Sequence, residues 1–82
     1  MPVILRIKGY RLWFYEADLD EPPHVHVGKQ SNEAKYWLNP VELSKSRGFR
    51  ERELTEIRKI VEEYRAEILE AWRKEDAKRG HG

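Results

Sequence analysis

His24 and His26 stand two residues apart in the stretch HVHV, and they are two of only three histidines in the chain. Alternate residues of an extended strand lie about 6.5–7 Å apart on one face. Both imidazoles can therefore face a single ligand while Val25 and Val27 turn to a core. Three chemistries use such a pair. As metal ligands, the two rings need a third donor, and Asp18, Asp20, Glu21 and Glu33 are the acidic candidates, with Asp20 taken to complete a His24–His26 set. As an acid and a base titrating near neutral pH, they can act on a phosphodiester, with Arg6, Arg11, Lys35 and Arg47 as cations for the developing charge. As binding groups only, they can hold a phosphate while Trp13, Tyr15, Tyr36 and Trp37 stack on unpaired bases. The bland alternative is packing on a half-buried strand.

These residues need a sheet to position them. The run VILRI (3–7), the turn pair Lys8–Gly9 and the aromatic run YRLWFYEA (10–17) read as a hairpin. Pro22 and Pro23 exclude a central strand from the following loop. HVHV (24–27) and EAKYWL (33–38) read as a third and a fourth strand, separated by the polar turn GKQSN.

Helical signals follow. Asn39, Pro40 and Glu42 match the N-cap, N1 and N3 positions of a capped helix, and Gly48 suits its C′ position, which predicts a short helix over 39–48. From Glu51 a long helix is expected. Leu54, Ile57, Val61, Tyr64, Ile68 and Trp72 form one apolar stripe, widened by Ile60 and Leu69. Arg50 is a poor N-cap, with a Phe49–Leu54 staple to compensate. The expected fold is α+β, in the order ββββαα: a small antiparallel sheet of three to four strands with a long C-terminal helix packed on one face. Residues 1–76 make a single domain and 77–82 a frayed tail.

Composition narrows the function classes. The 82 residues carry 16 basic and 15 acidic side chains and no cysteine. Disulfides and thiolate metal sites are excluded, and a strongly basic nucleic-acid binder is not indicated. No apolar run has the roughly 18 residues of a membrane span, and no signal peptide is evident, so a soluble cytoplasmic protein with no membrane contact is the expectation. In the second strand Tyr10, Leu12 and Phe14 point one way, and Arg11, Trp13 and Tyr15 the other. One helix covers one face, so a second copy or another protein is expected on Trp13, Tyr15 and Trp37.

The stretches MPVILRIKGYRLWFYEADLDEPPHVHV, EAKYWLNP, RGF and ELTEIRKIVEEYRAEILEAW together resemble DUF4160, a small prokaryotic family catalogued as a domain of unknown function. The resemblance reaches from residue 1 to about residue 73. It implies a gene encoded beside another small protein, in an arrangement similar to a toxin–antitoxin pair. Its features fall here on Arg6, Gly9, Glu21, Pro22, Pro23, His24, His26, Lys35, Trp37 and Leu38, then Arg47, Gly48 and Phe49. The leading expectation is a toxin-like, metal-independent endoribonuclease with no cofactor. His24 and His26 are its catalytic acid and base, and Arg6, Lys35 and Arg47 bind the phosphate. The partners are a homodimer mate, the neighbouring gene product, or both, and RNA. The rivals are a non-enzymatic interaction or regulatory module and a metal-binding protein using His24, His26 and Asp20.

Overall fold

The structure, a computed structural model, describes residues 3–78. Five strands form one antiparallel sheet in sequence order: β1 (Val3–Ile7), β2 (Tyr10–Trp13), β3 (His24–Lys29), β4 (Asn32–Leu38) and β5 (Val41–Arg47). A 3₁₀ segment, Glu16–Asp20, lies between β2 and β3, and two helices follow the sheet, α1 (Glu51–Glu63) and α2 (Arg65–Lys78). The α+β class and the antiparallel sheet match the sequence reading; the sheet has five strands rather than three or four. Of the expected tail, Ala77 and Lys78 still belong to α2, and residues 79–82 lie outside the described residues. No described helix is long and apolar enough to cross a membrane.

Local chemistry explains the hairpins. Ile7 pairs with Tyr10, so β1 and β2 are joined by two residues, Lys8 and Gly9, at φ 50° and 86°. Positive φ at both positions is what a tight turn needs to match strand twist. The β4–β5 connection corrects the expected helix over 39–48. Leu38 pairs with Val41, which leaves Asn39 and Pro40 as a two-residue turn, and β5 runs back along β4. Val41 and Leu43 are the only apolar side chains between Pro40 and Gly48. A spacing of two serves a strand face but not a helix stripe, and the capping pattern had no apolar face behind it. Ser44 is the extra residue of a bulge, with Leu43 opposite Tyr36 and Lys45 opposite Lys35.

The inner face of the sheet holds the main core. Tyr10, Leu12, Val25, Val27, Ala34, Tyr36, Leu38 and Val41 meet Ile57, Ile60, Val61 and Ile68 from the helices, with Phe49 at the margin. Polar ends of the buried tyrosines are satisfied: Tyr10 Oη donates to Glu56 Oε1 at 2.9 Å and Tyr36 Oη to the Leu54 carbonyl at 3.0 Å. Arg50 takes the N-cap position, and its backbone N–H donates to Glu53 Oε1 at 3.0 Å. The expected single long helix is two helices, broken at Tyr64. Arg65, at the start of α2, donates to the Leu38 carbonyl and to Asn39 Oδ1, which ties this break to the β4–β5 turn. Beyond it α2 carries Trp72 into a second apolar cluster with Phe14 and Leu19.

Candidate functional site on the outer sheet face

Strand alternation puts the chemistry-bearing side chains on the face opposite the main core. The register runs in cross-strand rows. Trp13, His26, Lys35 and Lys45 form one row across β2 to β5, and His24, Trp37 and Glu42 form the next. Arg6, Arg11, Gly28, Glu33 and Arg47 form a third, which spans all five strands. Pro22 and Pro23 deliver the chain to β3, and the Pro23 carbonyl accepts from Leu38 N–H at 3.1 Å. His24 is therefore the first ladder residue of its strand.

The two imidazoles do share a face, with ring centroids 5.2 Å apart, but the 3₁₀ segment and α2 cover them. His24 is 0% exposed and His26 8%. Trp72 sits 5.3 Å from the His24 ring; Trp13 stacks on His26 at 5.6 Å, and Tyr15 meets His26 edge-on at 5.1 Å. Gly28 makes the Trp13 stack feasible: a Cβ there would lie 2.9 Å from the indole. The 3₁₀ turn brings Asp18 to the pair. Asp18 Oδ2 lies 2.8 Å from His26 Nε2 and 3.3 Å from His24 Nε2. The same oxygen accepts from the Tyr15 backbone N–H at 2.9 Å. Burial pushes the Asp18 carboxyl up, but that N–H and the two imidazoles outweigh it and hold the group below its usual range. His24 Nδ1 contacts the Pro22 carbonyl at 3.0 Å. Three buried nitrogens have no hydrogen-bond partner among the described residues: Trp13 Nε1, His24 Nε2 and His26 Nδ1.

The cations lie to the open side of this cluster. A cleft of about 260 Å³ is lined by Glu33, Ala34, Lys35, Lys45, Ser46 and Arg47. Lys35 pairs with Glu21 at 3.0 Å and lies 4.6 Å over the Trp37 ring. Lys45 and Arg47 are exposed and make no ion pair among the described residues. A second cleft, about 220 Å³, is lined by Pro22, Pro23, Trp37, Asn39, Pro40 and Glu42.

Of the cations expected from sequence, Lys35 and Arg47 share one cleft, while Arg6 lies at the far end of its row, beside Arg11 on β1. The carboxylate at the imidazoles is Asp18; Asp20 is exposed and is not part of the His–His–Asp group. Trp13 is 6% exposed and buried by its own chain, so it does not need a second chain to cover it, whereas Tyr15 is 42% exposed. Trp37 is half-buried. Sequence reasoning missed Lys45, because it fell inside the supposed helix; strict alternation from Val41 and Leu43 would have turned it inward, and it is the bulge at Ser44 that puts it on the outward face.

No curated protein and no solved structure matches the chain. A family model does match over residues 9–73, under the description "Domain of unknown function (DUF4160)". That span holds the β2–β5 rows, the His–His–Asp cluster and Trp72, and the chain belongs to the DUF4160 family.

Proposed function

We propose that this chain is an RNA-binding, toxin-like member of a prokaryotic two-gene module, and that it grips the phosphate backbone with the outer face of its sheet. The observation that carries the reading is the cleft in which Lys35, Lys45 and Arg47 converge. Two of these cations have no carboxylate partner among the described residues, so a ligand phosphate is free to supply the counter-charge. Exposed Tyr15 is a platform on which a base can stack. The partner from the neighbouring gene, or a second copy, has an apolar seat in the cleft formed by Pro22, Pro23, Trp37 and Pro40.

The test is binding of a short single-stranded RNA, read by fluorescence anisotropy across a salt series. Lys45→Glu with Arg47→Glu is expected to weaken binding at least tenfold. It should also flatten the salt dependence by roughly 1.4 in log–log slope, about 0.7 for each lost phosphate contact. Both side chains are exposed, so melting should hardly change. Unaltered affinity in this double variant would overturn the reading.

The endoribonuclease reading draws on a different observation: His26 is the cross-strand partner of Lys35, which lines that cationic cleft. In it the imidazoles exchange protons with an RNA 2′-hydroxyl and its leaving oxygen, and a cyclic phosphate is left. It requires the 3₁₀ segment to withdraw from His24. Cleavage of labelled RNA in chelator that disappears in both His24→Ala and His26→Ala would establish it, and intact RNA would leave binding alone.

A further inference from the structure

We infer that Asp18, His24 and His26 bind a divalent first-row transition-metal ion, with Asp18 Oδ2 and the two Nε2 atoms as ligands. Hydrogen-bond partners set the tautomers of the two rings. A backbone carbonyl only accepts, so the contact of His24 Nδ1 with the Pro22 carbonyl at 3.0 Å places a hydrogen on Nδ1. The neutral ring then carries its lone pair on Nε2. That atom is fully buried, has no hydrogen-bond partner among the described residues, and sits 3.3 Å from the Asp18 carboxylate oxygen. A lone pair facing a carboxylate oxygen inside a protein is repulsive unless something positive stands between them.

The same frustration exists at the second ring. With Nε2–H of His26 donating to Asp18 at 2.8 Å, the lone pair moves to Nδ1, which is buried without a partner among the described residues. A metal ion relieves both rings together. It takes both Nε2 lone pairs and leaves hydrogen on both Nδ1 atoms. His24 Nδ1–H then keeps the Pro22 carbonyl, and the Glu33 carboxylate, 3.8 Å from His26 Nδ1, can close to a hydrogen bond by a small side-chain shift. A carbonyl or carboxylate behind each ligating imidazole is the usual support for a metal-bound histidine.

The spacing is close to what a shared ion needs. The three ligand atoms lie within 4.8 Å of one another, and the two carboxylate–imidazole edges are 2.8 and 3.3 Å. Donors about 2.0–2.2 Å from a shared ion sit roughly 3–3.6 Å apart at neighbouring coordination positions. Two imidazoles with one carboxylate select zinc, cobalt, nickel or iron over magnesium or calcium, which prefer all-oxygen sites. The ion joins the 3₁₀ segment to β3. It would therefore act as a staple in a domain small enough to need one.

The experiment uses the full chain stripped with chelator and titrated with Zn²⁺ by calorimetry, and with Co²⁺ by visible absorption. One ion per chain is expected, with a d–d spectrum of imidazole–carboxylate ligation. A zinc excess of a hundredfold over the dissociation constant is expected to raise the melting temperature by roughly 10 °C. Asp18→Asn and His26→Ala should each lose about a hundredfold in affinity, while His81→Ala should lose none. Absence of heat, spectrum and thermal shift in the wild-type chain would overturn the inference, whether or not the variants fold. Equal affinity in folded Asp18→Asn and His26→Ala would overturn it too, by placing the ion elsewhere.

Discussion

The two faces of this sheet are built from the same strands and obey different rules. On the inner face of β3, Val25 and Val27 are fully buried among aliphatic and aromatic neighbours, and the buried tyrosine hydroxyls there have fixed partners. On the outer face of the same strand, His24 and His26 are almost as deeply buried, yet their surroundings are an acidic side chain, indoles and a 3₁₀ turn. Burial alone does not make a core. The inner face is complete, with its polar groups paired, whereas the outer face retains unpaired imidazole nitrogens and a row of cations.

That contrast is open to attack from both sides. The largest effect belongs to the inner face. Val61 is 0% exposed between helix and sheet, so Val61→Asp buries a carboxylate among apolar side chains. Loss of cooperative folding is expected, which corresponds to more than about 4 kcal/mol. A thermal melt like that of the parent would mean that the stripe on α1 is not the core stripe. A smaller effect is expected outside. Gly28→Ala brings a Cβ to 2.9 Å from Trp13 Cζ3 and 3.0 Å from Cη2, which forces the indole off His26. The cost should be about 1–3 kcal/mol, read by urea unfolding, with the inner-face signal preserved.

The smallest effect is alkaline. Burial and the adjacent Glu56 carboxylate push the Tyr10 hydroxyl up to about 12, against 10.0 for the free group. A raised value means the neutral form is favoured on folding, so this contribution is complete below pH 10 and declines as the pH rises towards 12. At pH 11 the loss should be about 1.4 kcal/mol, because phenolate then outweighs phenol roughly tenfold in the unfolded chain while the folded group stays mostly neutral. Tyr36 is also held up by burial, and Arg58 works against it. Tyr10→Phe should remove the Tyr10 part of the alkaline decline; an unchanged alkaline limb would assign it to other groups.

Sequence made the inner face legible because alternation and the helical stripe are both periodic signals. Val25, Val27, Ile57, Val61 and Ile68 all fall where the periods put them, whereas Tyr36, grouped with Trp37 as a base-stacking candidate, has the opposite parity to Trp37 and is buried in the inner core. Two elements escaped for a physical reason. Asn39, Pro40 and Glu42 are as suitable for a turn as for a cap, and only the spacing of Val41 and Leu43 separates the two readings. The stripe from Leu54 to Trp72 keeps its period through Tyr64, so the break between α1 and α2 leaves no trace in it. The site was legible in its strand-borne members, His24, His26 and Lys35, whose facing follows from parity. Asp18 was not singled out over Asp20, since the carboxylate a 3₁₀ turn presents depends on where that turn docks.

Every strand of the sheet pairs with its neighbour in sequence, so the sheet closes by local contacts, through two-residue turns except for the ten-residue stretch between β2 and β3. The helices close longer loops, and Trp72 must travel back to Phe14 and Leu19 from the middle of α2. The assembly order this favours is a rapid zippering of hairpins, with the last helix docking afterwards, and His24 shut away from water only at that closing step.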